Sequence, residues 1–144
     1  MKRSLILLLV VVCLIITGCG KSEAEIKEQW KEAKIAVAAI RAAIDVYNAQ
    51  KLGDLTGLKD MLADGFKQDS PLIKEIQMDD SDLKTLQYFD REDFSMEFIN
   101  DGTDGEFLIK VDASKGKGGK SGEGPKKGTG SYNSAADEYS GMLK

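Results

Sequence analysis

Ala33-Lys34-Ile35-Ala36-Val37-Ala38-Ala39-Ile40-Arg41-Ala42-Ala43-Ile44-Asp45-Val46-Tyr47-Asn48-Ala49-Gln50 reads as one uninterrupted helix. Eleven of the 14 residues from Ala33 to Val46 are apolar, most of them alanine, the strongest helix former. Extended toward the amino terminus, the pattern gains a register. Ile26, Trp30, Ala33, Val37, Ile40, Ile44 and Tyr47 recur at intervals of 4, 3, 4, 3, 4 and 3, which puts one apolar stripe along a helix. Ser22-Glu23-Ala24-Glu25 has the form of a capping box, in which the serine and the glutamate satisfy each other's backbone N–H groups. Gly53, just past Lys51 and Leu52, is the stop signal. A helix over 23–53 is about 45 Å long, against a radius of gyration of about 14 Å for a compact domain of this size. The expectation is a helix that projects beyond its domain at the amino-terminal end.

Ile35, Ala38 and Ala42 lie roughly opposite that stripe at 100° per residue. With one face on the domain's own core, the other offers a smooth surface of small residues. We read Ile35, Ala38 and Ala42 as a candidate partner-binding face; the plainer account is alanine's helix propensity alone.

Past the helix, Leu55, Leu58 and Leu62 share one side of a short helix or turn, and Ser70-Pro71 opens another short helix. Asp79, Asp80 and Asp82 around Ser81 suggest a capped turn. The period then changes to two. Phe94, Met96 and Phe98 share one face, Asn100 to Gly105 makes a turn, and Phe107, Ile109 and Val111 share a face again. This is an antiparallel hairpin with one covered and one wet side, and the long helix is the natural cover. Leu86-Gln87-Tyr88-Phe89 is a candidate third strand. Residues 115–130 hold seven glycines and five lysines and read as a flexible loop. The segment 131–144, with Tyr132, Tyr139, Met142 and Leu143, either returns as an edge strand or hairpin or stays loose. The expected fold class is α+β, a long amino-terminal helix packed on a small antiparallel sheet. The expected parts are the helix at 23–53, connector and sheet at 54–114, the loop at 115–130 and the final segment at 131–144, with 23–144 forming one domain.

The 144 residues contain no histidine and two cysteines, which removes histidine-dependent triads, Cys/His zinc sites and disulfide frameworks. Gly119-Lys120-Ser121 suggests a phosphate loop, but Ser114 stands where its first glycine belongs and Gly122 to Pro125 forbid the helix that must follow. Asn100 to Gly105 faintly resembles a calcium loop, yet Val111 occupies the position of its last glutamate. From Asp79 to Asp112 there are 11 acidic and three basic residues, mostly alternating with core positions or placed in turns, as on a solvated face. Lys115, Lys117, Lys120, Lys126 and Lys127 make a basic loop that could meet this face, a second copy or anionic lipid, with solubility as the simplest account. No nucleophile–base arrangement supports a hydrolase. The expectation is a non-enzymatic chain with no cofactor and no metal.

The amino terminus has its own signature. Lys2 and Arg3 precede an apolar run from Leu5 to Ile16, too short for a bilayer span of about 20 residues. It ends in Ile16-Thr17-Gly18-Cys19, which resembles the lipobox of bacterial lipoproteins. That resemblance implies a signal peptide over 1–18, acylation of Cys19 by diacylglycerol and a further chain such as palmitate, and a lipidated tether over 19–22. It places the domain on the extracytoplasmic side of a membrane, and Gly20, where aspartate would signal inner-membrane retention, suggests the outer membrane in a cell that has one. Two of the 20 basic residues fall in the leader, leaving 18 against 24 acidic residues, a net charge of −6. An acidic mature chain argues against nucleic acid as a partner.

The alanine-rich stretch from Ala33 to Gln50, with Tyr47 near its end, followed by Leu86 to Phe89 and the strands between Phe94 and Val111, resembles the soluble domain of type IV pilins and type II secretion pseudopilins. The resemblance covers roughly 24–139, and is one of pattern. It implies a protein-contact role beside a pilus or secretion apparatus. The chain departs from the family at its anchor: a lipobox replaces the prepilin cleavage site, and no apolar stem follows Cys19, so pilin-type processing and polymerisation are not expected. The expected function is a lipid-anchored envelope protein that contacts an envelope partner or a second copy. The alternative is a lipid-anchored module that binds a small ligand or ion in the loops at 54–82 and 100–105.

Overall fold

A computed structural model describes residues 22–64, 66, 69–86, 93–114, 124–125 and 127–144. The fold is α+β. Helix α1 (Glu23–Gln50) leads into α2 (Thr56–Lys59), a 3₁₀ turn (Asp60–Asp64), α3 (Pro71–Glu75) and α4 (Asp80–Thr85). Four strands follow, β1 (Phe94–Phe98), β2 (Phe107–Asp112), β3 (Thr129–Asn133) and β4 (Glu138–Gly141), paired in chain order as an antiparallel meander.

Side-chain caps start α1, α3 and α4. At α1 the Ser22 N–H donates to Glu25 Oε2 at 2.6 Å and the Glu25 N–H donates to Ser22 Oγ at 3.3 Å, so two otherwise orphaned donors are satisfied reciprocally. Ser70 caps α3 through the Ile73 N–H, with Pro71 in the first turn. Asp79, expected to cap a turn, caps α4 by accepting from the Ser81 and Asp82 N–H groups, both at 2.8 Å. Helix α1 stops earlier than the expected 53. The Lys51 N–H still reaches the Tyr47 carbonyl, but Leu52 already has φ 54° and is 93% exposed. The chain therefore turns into the left-handed region one residue before Gly53.

The core lies between α1 and the sheet. Ile26, Trp30, Ala33, Val37, Ile40, Ile44 and Tyr47 are all buried, as the spacing requires, and Ala36 joins them. Met96 pairs with Ile109, Ile109 with Tyr132, and Tyr132 with Tyr139, so one cross-strand row spans all four strands. Phe107, Ile109, Val111 and Tyr132 are buried, while Phe98 at the edge is half-buried. Leu55, Leu58, Leu72, Ile73 and Ile76 of the connector belong to the same core cluster. The turn after β1 is clamped to the far end of α1: Asn48 donates to the Gly105 carbonyl at 3.1 Å, and the Leu55 N–H donates to the Gly102 carbonyl at 2.7 Å. A Cβ at Gly105 would lie 2.7 Å from Asn48 Oδ1, which is why glycine stands there.

Three expectations are corrected. Helix α1 does not project as a bare rod: Ile26 is 7% and Trp30 2% exposed, because the β3–β4 hairpin folds back over the first turns. The Trp30 indole N–H donates to the Lys127 carbonyl at 2.9 Å, and Leu143 is fully buried. The sheet is completed by the carboxy-terminal segment, whereas Leu86 ends helix α4 as its C-cap; 87–89 lie outside the described residues. The glycine-lysine loop is also shorter than 115–130, since Thr129 and Gly130 open β3 and Pro125 is fully buried. Glycine at 130 serves packing, because a Cβ there would come within 2.7 Å of the Leu143 side chain.

Candidate interaction surface

With its core stripe buried from Ile26 to Tyr47, α1 turns its opposite side outward. Ile35 is 54% exposed, and Ala38 and Ala42 are exposed beside it. The structure adds Val46, 59% exposed, four residues after Ala42 and on the same face. The sequence spacing carried that signal, but Val46 also fits the general apolar run and so did not stand out. Large β-branched residues at the ends with alanines between allow a second helix to approach to about 8–10 Å. Nothing polar on this strip demands a specific partner group, so the recognition it offers is by shape.

The flank of α1 next to the strip is polar and fixed. The Arg41 guanidinium stacks over the Tyr132 ring, 4.4 Å from its centre, and bonds Asp137 at 2.7 Å and Asp45 at 3.5 Å. The Tyr132 hydroxyl donates to the same Asp137 carboxylate at 3.1 Å. Burial first, and then this hydrogen bond, push the Tyr132 phenol up to about 12, although Arg41 pulls the other way. The cluster locks the β3–β4 turn to the helix.

The loops considered for an ion direct their carboxylates at their own backbone. Asp101 accepts from the Thr103 N–H at 3.0 Å and hydroxyl at 2.6 Å, and Asp104 accepts from the Glu106 N–H at 3.0 Å and from Asn100. The Thr103 hydroxyl, then its N–H, hold the Asp101 carboxyl below the usual range. Asp54 is held down in the same way by Thr56, through its hydroxyl first. Among the described residues no three acidic or cysteine side chains converge as a metal site. Trp30 is core. Cys19, Lys115, Lys117, Lys120, Lys126 and the Gly119-Lys120-Ser121 sequence lie outside the described residues. No described helix is long and apolar enough to cross a membrane. No protein-family model, curated protein or solved structure matches the chain.

Proposed function

We propose that this chain is a bacterial lipoprotein held on the extracytoplasmic face of a membrane by acylated Cys19, whose pilin-like domain works by contacting another protein. The observation that carries the reading is the strip of Ile35, Ala38, Ala42 and Val46, left uncovered on a helix whose opposite face is buried throughout. The long helix laid on an antiparallel meander supports the pilin-like plan, and the lipobox sequence supports the anchor. The favoured occupant is a helix of an envelope protein, with a pilus or secretion apparatus as its setting.

Two measurements test this together. A palmitate analogue fed to cells should label the chain, and Cys19→Ala should abolish the label. A photo-cross-linking residue at Ala42 should give one discrete adduct, lost on Ile35→Asp while the melting temperature holds. An unlabelled, freely released chain refutes the anchor. Absence of a discrete adduct, or one indifferent to Ile35→Asp, refutes the contact face.

A further inference from the structure

Where the β3–β4 hairpin covers the first turns of α1, a cleft of about 590 Å³ remains. Ile26, Trp30 and Met142 give it an apolar floor, and Lys27, Lys31, Lys34, Lys127 and Lys144 ring it. Glu23 is the one acid among the described residues that line it. The segregation follows from helical spacing: Glu23, Lys27, Lys31 and Lys34 share a side of α1, whereas Glu25, Glu28 and Glu32 fall on the other. Some of the ring is already engaged. Lys31 bonds Glu28 at 2.7 Å, Lys34 lies 4.9 Å over the Tyr139 ring and Lys144 faces Glu138 at 3.9 Å. The Lys27 and Lys127 ammonium groups have no ion-pair partner among the described residues. Lys127 is held in place by its backbone, whose carbonyl accepts the Trp30 indole N–H at 2.9 Å.

We propose that this cleft docks the headgroup of an anionic phospholipid in the bilayer that carries the anchor. The lysines meet the phosphate, and the Trp30–Ile26–Met142 floor takes the glycerol and first methylenes. A bare inorganic anion would leave that floor unused. The mature chain is acidic, with 18 basic against 24 acidic residues and a net charge of −6, so an anionic surface repels its acidic faces and favours this end turned inward. The choice of a bilayer lipid rests on the Cys19 reading. Three residues separate Cys19 from Glu23, so the Glu23 edge of the cleft stands at most about 14 Å along the chain from the acylated residue. A tether that short supplies an effective concentration on the order of millimolar, and weak docking suffices.

The test uses the chain from residue 19 onward with Cys19→Ser, which retains every contact described above. It should float with phosphatidylcholine vesicles containing one-third phosphatidylglycerol and stay behind with phosphatidylcholine alone. Salt raised to about 0.5 M should release it. Lys27→Gln and Lys127→Gln should each weaken partition about five-fold, and together about 25-fold. Lys59→Gln with Lys84→Gln, equal in charge but outside the cleft's lining, should not. Equal partition into both vesicles, or equal loss from the two double variants, overturns the proposal. So does inorganic phosphate that competes the chain off the vesicles at matched ionic strength. Vesicle binding is read without the anchor, so its failure is distinct from a failure of palmitate labelling.

Discussion

Raising the pH through the tyrosine range isolates one contact of the helix–hairpin joint. Tyr132 is 2% exposed and donates its hydroxyl to Asp137, so its phenol titrates near 12 where an ordinary tyrosine titrates at 10.0. The fold therefore favours the neutral phenol. That contribution is whole below pH 10, declines as the pH rises and is gone above 12. At 1.36 kcal/mol per unit, the two-unit difference is worth about 2.7 kcal/mol, of which about 1.4 kcal/mol is lost by pH 11. A domain of this kind has only about 5–15 kcal/mol in all. The assay is urea unfolding followed by the emission of Trp30, the single tryptophan, from about pH 8 to about pH 11. Lysines also titrate there, so the informative quantity is the gap between wild type and Tyr132→Phe. At neutral pH the variant should be weaker by about 1 kcal/mol, the ordinary worth of the lost hydrogen bond. By pH 11 the gap should close or reverse. A gap that stays constant across the range would refute the account of a phenol kept neutral by burial and by its hydrogen bond to Asp137.

At the acid end, Asp79 is held below the usual carboxylate range by the Asp82 N–H first and then the Ser81 hydroxyl, so its share of stability is present above pH 3.8 and lost as the pH falls through its lower folded value. Asp79→Ala should lower the melting temperature at neutral pH and flatten the acid limb of the stability profile; an unchanged limb would show that this cap is inert. Ile40→Ala, at a fully buried position, should cost about 2–5 kcal/mol by denaturant titration. Ile35→Ala on the exposed face of the same helix should stay within about 0.5 kcal/mol, and a comparable loss at both sites would contradict the assigned facing.

The parts of this fold that were legible in sequence are those whose information is local. The stripe from Ile26 to Tyr47 and the alternation of Phe94, Met96, Phe107, Ile109 and Val111 are repeats of 3.6 and two, and each emerged on the expected face. The caps at Ser22 and Ser70 are short-range hydrogen bonds and were equally visible. What escaped depends on long-range pairing. Thr129-Gly130-Ser131-Tyr132-Asn133 has one aromatic among four small or polar residues, so Thr129 and Gly130 look like loop and the strand or hairpin beyond them stays one of two options until β2 supplies its partner. The cleft escaped for the same reason: Lys27 and Lys127 are 100 positions apart, and only the returning hairpin brings them to one rim. On the contact face, Ile35, Ala38 and Ala42 followed from geometry, whereas Val46 was hidden by the abundance of apolar neighbours.

The indole of Trp30 is joined to a carbonyl 97 positions later, and the pocket around it is closed by Met142. During synthesis the opening turns of the helix therefore wait, with Ile26 and Trp30 still wet, until Lys127 and the β3–β4 hairpin have emerged. Maturation of this domain is the closing of its leading helix by its trailing hairpin, and synthesis halted between β2 and β3 would leave Ile26 and Trp30 unsealed.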